Sequence, residues 1–256
     1  MNRNNNVTAR NWLAYFEDNA KRRMSIAWHN GVTLEWSSRS AIIASLQKFQ
    51  VGESGEGKHL KACAAQTGDA EYCAAIELFL AEENYHAAML AGVLRSQGAP
   101  LLSGHWSDAA FIIIRRFAGL KLELAILLVA ELIAKRYYRA VYDASADINL
   151  RVMCAQILRD ENAHVAFHCD TFHRAFASFS PLKKAIVRFW WKRFYRVVCF
   201  VVALDHRGVL RAANVSIGSW MRETNEVFEQ AARQIFEKSP QLALTQNLVF
   251  DKPVVR

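Results

Sequence analysis

Two short stretches of the chain carry the same pattern of metal-binding side chains. Residues 82–86 read Glu-Glu-Asn-Tyr-His, and residues 160–164 read Asp-Glu-Asn-Ala-His. Each contains Glu-x-x-His: Glu83 with His86, and Glu161 with His164. On a helix, positions i and i+3 share a face, so each pair can offer a carboxylate oxygen and an imidazole nitrogen to one cation. One such pair is weak evidence, because chance places about half a match in a chain with 15 Glu and 8 His. A third match, Glu56 with His59, does occur. What distinguishes the first two is a shared register. Glu53 stands 30 residues before Glu83, and Glu131 stands 30 residues before Glu161. A single shift of 78 carries 53, 83 and 86 onto 131, 161 and 164. Four carboxylates and two imidazoles suit two Fe or Mn ions, Fe/Mn mixtures included, better than zinc, which takes fewer ligands in a tetrahedron.

Other residues could support such a set. Metal-bound histidine usually donates its second N–H to a carboxylate. Glu82 and Asp160 each precede a proposed ligand, so Asp160 can serve His86 and Glu82 can serve His164. His168 extends the second Glu-x-x-His stripe, as an added ligand, a proton donor or a core histidine with a partner. Tyr138, seven residues past Glu131, is placed for a hydrogen bond or for electron transfer, or simply for the core. Glu53 is the weakest ligand. It lies in Gly52-Glu53-Ser54-Gly55-Glu56-Gly57, where three glycines oppose helix, and Glu56 on the same stripe is its alternative. His59 falls one step off that stripe, so its spacing from Glu56 is read as coincidence.

The elements that must position these residues are helices. Residues 9–28 predict a flanking helix, and Ser37 or Ser38 can cap the next one. Four apolar stripes with alternating spacings of four and three follow. The first runs Ile42, Leu46, Phe49, Glu53, Glu56, Leu60, Cys63, and the second Tyr72, Ile76, Phe79, Glu83, His86, Leu90, Val93. The third runs from Phe117 through Leu124 and Glu131 to Val141, the fourth from Leu150 through Ile157 and Glu161 to His168. The ligands interrupt core-facing seams, where an uncompensated carboxylate is costly. Turns near Thr67-Gly68 and Asp143–Asp147 place all four ligand carboxylates ~20 Å along their helices at ~1.5 Å per residue. The long link from Ser96 through Trp106 can return along the bundle. The expectation is an all-α fold: a four-helix bundle over 37–179 with one long crossover, flanked by 1–36 and by helices in 181–238, with an irregular tail over 239–256. Pro181 opens a fifth helix, Gly208 and Gly218 allow breaks, and a last helix covers Glu223 to Glu237.

Composition narrows the class. Apolar residues make up 52% of 256, which excludes a disordered chain and allows one sizeable domain. Five cysteines without C-x-x-C spacing read as reduced thiols in a cytoplasmic protein. Met1 to Asn6 lacks the apolar run of a signal peptide, and no stretch has the length of a membrane span. The net charge of +8 permits an acidic partner. Its focus is the fifth helix, where Lys184, Arg188, Lys192 and Arg196 recur every four residues beside Phe189 and Trp190. That stripe is either a solvated face or a contact for an anionic membrane or an acidic carrier protein.

Over residues 38–178 and through these Glu-x-x-His pairs, the chain resembles the ferritin-like superfamily of non-haem di-iron carboxylate proteins. Glu-Glu-Asn-x-His is also similar to a stretch of the soluble acyl-carrier-protein desaturases. The resemblance implies a ferritin-like four-helix bundle and a Glu4His2 site of Glu53, Glu83, His86, Glu131, Glu161 and His164 holding two iron ions. It further implies an oxidoreductase, an oxidase or oxygenase with O2 as co-substrate that hydroxylates, desaturates or N-oxygenates a small or carrier-bound organic substrate. A separate electron donor would serve it; no nucleic acid is expected, and a homodimer is allowed. Two other readings stand beside it: a ferroxidase without organic substrate, and a metal-free interaction module using the basic fifth helix.

Overall fold

The structure, a computed structural model, describes residues 3–54, 57–104 and 120–237. It is all-helical, with no strand among the described residues. The helices are α1 Arg3–Lys21, α2 Trp36–Glu53, α3 Lys58–Ala65, α4 Ala70–Ser96, α5 Leu120–Asp143, α6 Ile148–Ala175, α7 Pro181–Asp205, α8 Arg207–Ala212 and α9 Ile217–Phe236, with a 3-10 turn at Trp28–Asn30. They form two compact units, Met1–Ile126 with Asp147–Gln156, and Leu127–Ala146 with Ile157–Arg256.

In the first unit α1, α2 and α3 pack on α4. The predicted seam of α4 is buried through Tyr72, Ile76, Phe79, His86, Leu90 and Val93, against Trp12, Phe16, Ile42 and Leu46. At roughly 1.5–3 kcal/mol for each large apolar side chain removed from water, this layer is what holds the unit together. Asp69 starts α4 by accepting from the Tyr72 amide at 3.0 Å, after Gly68 has turned the chain at φ 68°. Asp147 does the same for α6 through the Leu150 amide, and its second oxygen accepts from Thr33.

In the second unit α7 packs on α9. Pro181 opens α7, as predicted, and Ser180 caps it by accepting from the Lys183 amide. The buried side of α7, Tyr195, Cys199 and Ala203, meets Trp220, Thr224 and Phe228 of α9. Tyr195 donates to the Thr224 carbonyl at 3.0 Å, and the Trp220 indole donates to the Cys199 carbonyl at 3.0 Å.

Several boundaries differ from the sequence reading. The flanking helix is Arg3–Lys21, and Trp28 belongs to the 3-10 turn. α2 starts at Trp36, because Glu35, in an extended conformation, already accepts from the Ser38 and Arg39 amides, so neither Ser37 nor Ser38 is the cap. The stripe drawn through Glu53 to Cys63 is not one helix. α2 stops at Glu53, Ser54 is extended, and Gly57 at φ 59° starts α3 from a left-handed conformation. The glycines decide the local structure there, and the seam resumes beyond them. Gly208 lies inside α8 and Gly218 inside the first turn of α9. The breaks fall at His206 and at Asn214, whose φ is 57°. Glu56, Phe117, the later part of the crossover and the tail over 239–256 lie outside the described residues.

Candidate metal centre

Glu53 ends α2, and Glu83 and His86 sit one turn apart in the middle of α4. The His86 Nδ1 atom lies 4.0 Å from Glu53 Oε2 and 3.8 Å from Glu83 Oε1. His86 is fully buried and Glu53 nearly so; Glu83 keeps a small exposed fraction. This triad lies within the first unit.

The second unit repeats it. Glu131 is in the middle of α5, and Glu161 and His164 are a turn apart in α6. The His164 Nδ1 atom lies 3.5 Å from Glu131 Oε2 and 3.8 Å from Glu161 Oε2. All three side chains are buried, at 3%, 1% and 0% exposure. Burial pushes the Glu131 carboxyl up, but the hydrogen-bonding Glu161 side chain and the nearby His164 and His168 imidazoles outweigh it and hold the group well below its usual range.

Both triads place one imidazole nitrogen opposite two carboxylate oxygens at 3.5–4.0 Å. These separations exceed an N–H···O hydrogen bond. They fall within the ~4.2 Å that two ligands of one ion can span at ~2.1 Å each. Two buried carboxylates facing one imidazole also leave negative charge that a divalent cation would compensate. The donor set of each triad therefore fits one metal ion.

The supporting residues are placed as follows. Glu82 is buried and accepts a 2.7 Å hydrogen bond from Asn19 of α1, within the first unit. Asp160 is buried in the second unit, with the Arg159 guanidinium at 3.8 Å. His168 is fully buried with its ring against Phe167. Burial lowers its pKa to about 4, with Glu131 opposing and His164 adding to the fall, so it is a neutral imidazole at pH 7. Tyr138 is fully buried, its ring edge-to-face with Tyr137 at 5.1 Å.

One cluster was not legible beforehand. His59, set aside as coincidental, accepts or donates at 2.8 Å with buried Glu123 of α5, and Cys63 Sγ lies 3.9 Å from the same ring. The spacing of His59 and Cys63 on α3 was readable. Glu123, 64 residues away, was not.

The basic stripe of α7 is partly consumed inside the protein. Arg188 donates to Glu229 at 2.5 Å and to Glu237 at 2.9 Å, and Lys192 donates to Glu229 at 2.5 Å. All five cysteines are free thiols, four of them buried, which agrees with their reading as reduced. No helix among the described residues is long and apolar enough to cross a membrane. Compared with protein-family models, curated proteins and solved structures, the chain matches none of them.

Proposed function

We propose that each triad holds one metal ion and that the two ions are the di-iron pair of a ferritin-like oxidase or oxygenase. The observation that carries this reading is the repetition: the same three residue types, in one register, with a fully buried histidine facing two carboxylates at 3.5–4.0 Å, twice over. Structural carboxylates have no reason to recur at a constant shift with a histidine opposite each pair. An oxygen-rich set with one imidazole per ion favours iron or manganese over zinc. Two iron ions so held would supply the electrons and open coordination positions that O2 reduction needs.

The chain's own residues then have defined tasks. Glu53, Glu83, Glu131 and Glu161 supply negative charge and oxygen ligands. His86 and His164 each fix one ion through Nδ1. Glu82 and Asp160, each one residue before a ligand glutamate, are the buried carboxylates that would accept the imidazoles' other N–H. His168, neutral and buried, adds no charge near Glu131 and offers a proton-accepting nitrogen. The four helices α2, α4, α5 and α6 would be the ferritin-like bundle, and a small or carrier-bound organic molecule the substrate, in the cytoplasm.

The test is anaerobic reconstitution with Fe(II), metal quantification, and then O2 uptake by the reduced protein. The expected result is two iron ions per chain, falling to one in His86→Ala and in His164→Ala, with rapid O2 consumption by the wild type only. Wild-type protein that retains no iron or manganese after desalting overturns the reading. O2 uptake that stops once the bound iron is oxidised, whatever organic substrate is supplied, replaces the oxygenase with a ferroxidase.

A further inference from the structure

Helix α7 has two faces that are both apolar. One, through Tyr195, Cys199 and Ala203, is buried against α9. The other is exposed. Leu182, Ile186, Phe189, Trp190, Phe200 and Leu204 follow one another at helical spacing along one side, with Leu182 at 71% and Trp190 at 66% exposure. At ~1.5 Å per residue this stripe runs ~33 Å. Scattered exposed apolar residues need no explanation; a stripe with three aromatic side chains does.

The charges around the stripe identify what it meets. Between Pro181 and Leu204 there is no Asp or Glu. Arg188 and Lys192 are turned to the other side and bound to Glu229 and Glu237. Lys183, Arg193 and Arg196 remain exposed. On the helical wheel Arg193 falls within the apolar stripe and Lys183 and Arg196 on its two borders. The Arg193 guanidinium lies 5.1 Å from the Phe189 ring and the Lys183 ammonium 3.9 Å from the Phe179 ring, so both cations stand at the level of the aromatic surface. A second copy of this chain would be a poor occupant. A two-fold contact along the stripe brings Arg193 and its neighbours against their own images, with no carboxylate on the face to compensate. The matching surface must be apolar within and anionic at its boundary.

We propose that α7 is an interfacial helix that lays its exposed face on an anionic membrane surface. Phe189, Trp190 and Phe200 enter the boundary between headgroups and acyl chains. Lys183, Arg193 and Arg196 reach lipid phosphates, their stems lying along the apolar surface. The helix does not cross the bilayer: its other face is occupied by α9, and it carries six basic residues. This proposal is independent of the metal reading.

The test is co-sedimentation of the full chain with phosphatidylglycerol-rich vesicles and with pure phosphatidylcholine vesicles. Binding to the first at ~0.1 M salt is expected, weakening toward ~1 M as the Debye length falls from ~10 to ~3 Å. The variant K183Q/R193Q/R196Q should bind on the order of a hundredfold more weakly, from about fivefold per removed charge near an anionic surface. The variant F189S/W190S/F200S should lose binding with unchanged far-ultraviolet circular dichroism, because the three side chains are each about half-exposed or more. Independently of folding in those triple variants, brominated lipid should quench wild-type tryptophan fluorescence, and Trp190→Phe should remove most of that quenching. Absence of wild-type binding to either vesicle overturns the proposal. So does equal binding by all variants. A wild-type dimer in light scattering that F189S/W190S/F200S converts to monomer, without vesicle binding, assigns the face to self-association instead.

Discussion

Replacing Glu161 with Gln distinguishes a metal-holding triad from an acidic hydrogen-bond network. In the metal-free protein Glu161 hydrogen-bonds to Glu131, both buried beside His164. A glutamine amide can donate the same hydrogen bond and removes one buried acid. The metal-free variant should therefore be as stable as wild type or more so, within ~1 kcal/mol, the net worth of one hydrogen bond. With metal the sign reverses. An ion at ~100 times its dissociation constant stabilises the wild type by ~2.7 kcal/mol, or roughly 5–11 °C in Tm for a chain of this size. If losing one carboxylate ligand weakens binding ~10- to 100-fold, the same concentration gives ~0.4–1.4 kcal/mol, roughly 1–6 °C. The assay is thermal unfolding in chelator and with Mn(II), which avoids oxidation chemistry. If Glu161→Gln lowers Tm by several degrees in chelator and keeps the wild-type response to Mn(II), the reasoning is refuted, and the triad is a network whose acids stabilise by themselves.

Other expectations follow from the surrounding structure. Gly57→Ala should cost ~1–2 kcal/mol by denaturant unfolding, since φ is 59° there and an added Cβ would also collide with the Leu80 side chain; an unchanged midpoint would mean Gly57 is not held in this conformation. Thiol titration at pH 8 should find Cys73, the half-buried one, reacting first, while Cys169 and Cys199 react only on unfolding, because burial pushes their pKa values up to about 12 and about 11. The Cys169 thiol is raised above its ordinary 9.0, so its contribution to stability is complete below pH 9 and is lost as pH rises toward about 12, at up to ~1.4 kcal/mol per pH unit. A Cys169→Ala variant should show a shallower alkaline decline. Glu229→Gln should destabilise the second unit by roughly 1 kcal/mol or less at pH 7, after allowing for partial exposure. Burial raises the Glu229 pKa, but Lys192 and Arg188 outweigh it and lower it, so the difference from wild type should shrink as pH falls through the carboxylate range.

The sequence carried what is local and periodic. The seam of α4 was readable because it is a one-sided stripe on an uninterrupted helix, and the turn at Thr67-Gly68 and the helix start at Pro181 are short-range signals. The stripes of α5 and α6 were too narrow a reading. From Leu128 to Tyr138 and from Ala163 to Asp170, buried residues cover almost every side of these helices. A helix surrounded by other elements loses its polar face, and the periodicity then shows only part of what is buried. The break after Glu53 was misjudged in favour of the stripe. Three glycines in six residues lower the cost of leaving the helix, and burial of Leu60 and Cys63 needs only that α3 return to the same core.

That break also bears on how Glu53, the proposed ligand from α2, is held. As the last residue of α2, Glu53 has its position fixed by the helix on one side only. The extended Ser54, whose amide and hydroxyl both return to the Val51 carbonyl, at 3.3 and 2.9 Å, ties down the other. Glu131, its counterpart, is embedded in continuous helix, and its His164 distance is shorter, 3.5 Å against 4.0 Å. Two triads built from the same residues thus differ in stiffness. The one ending at a glycine-rich turn, with Glu83 partly exposed, has the freer carboxylates; the other is sealed. Metal binding by the two triads should therefore be unequal. Under limiting Fe(II), the triad of Glu131, Glu161 and His164 should fill first, being pre-organised and paying less ordering entropy. Substoichiometric Fe(II) or Mn(II) titration into His86→Ala and His164→Ala measures this. His86→Ala should keep the tighter of the two wild-type affinities, and His164→Ala the weaker; the reverse order would place the pre-organised ligands in the first unit.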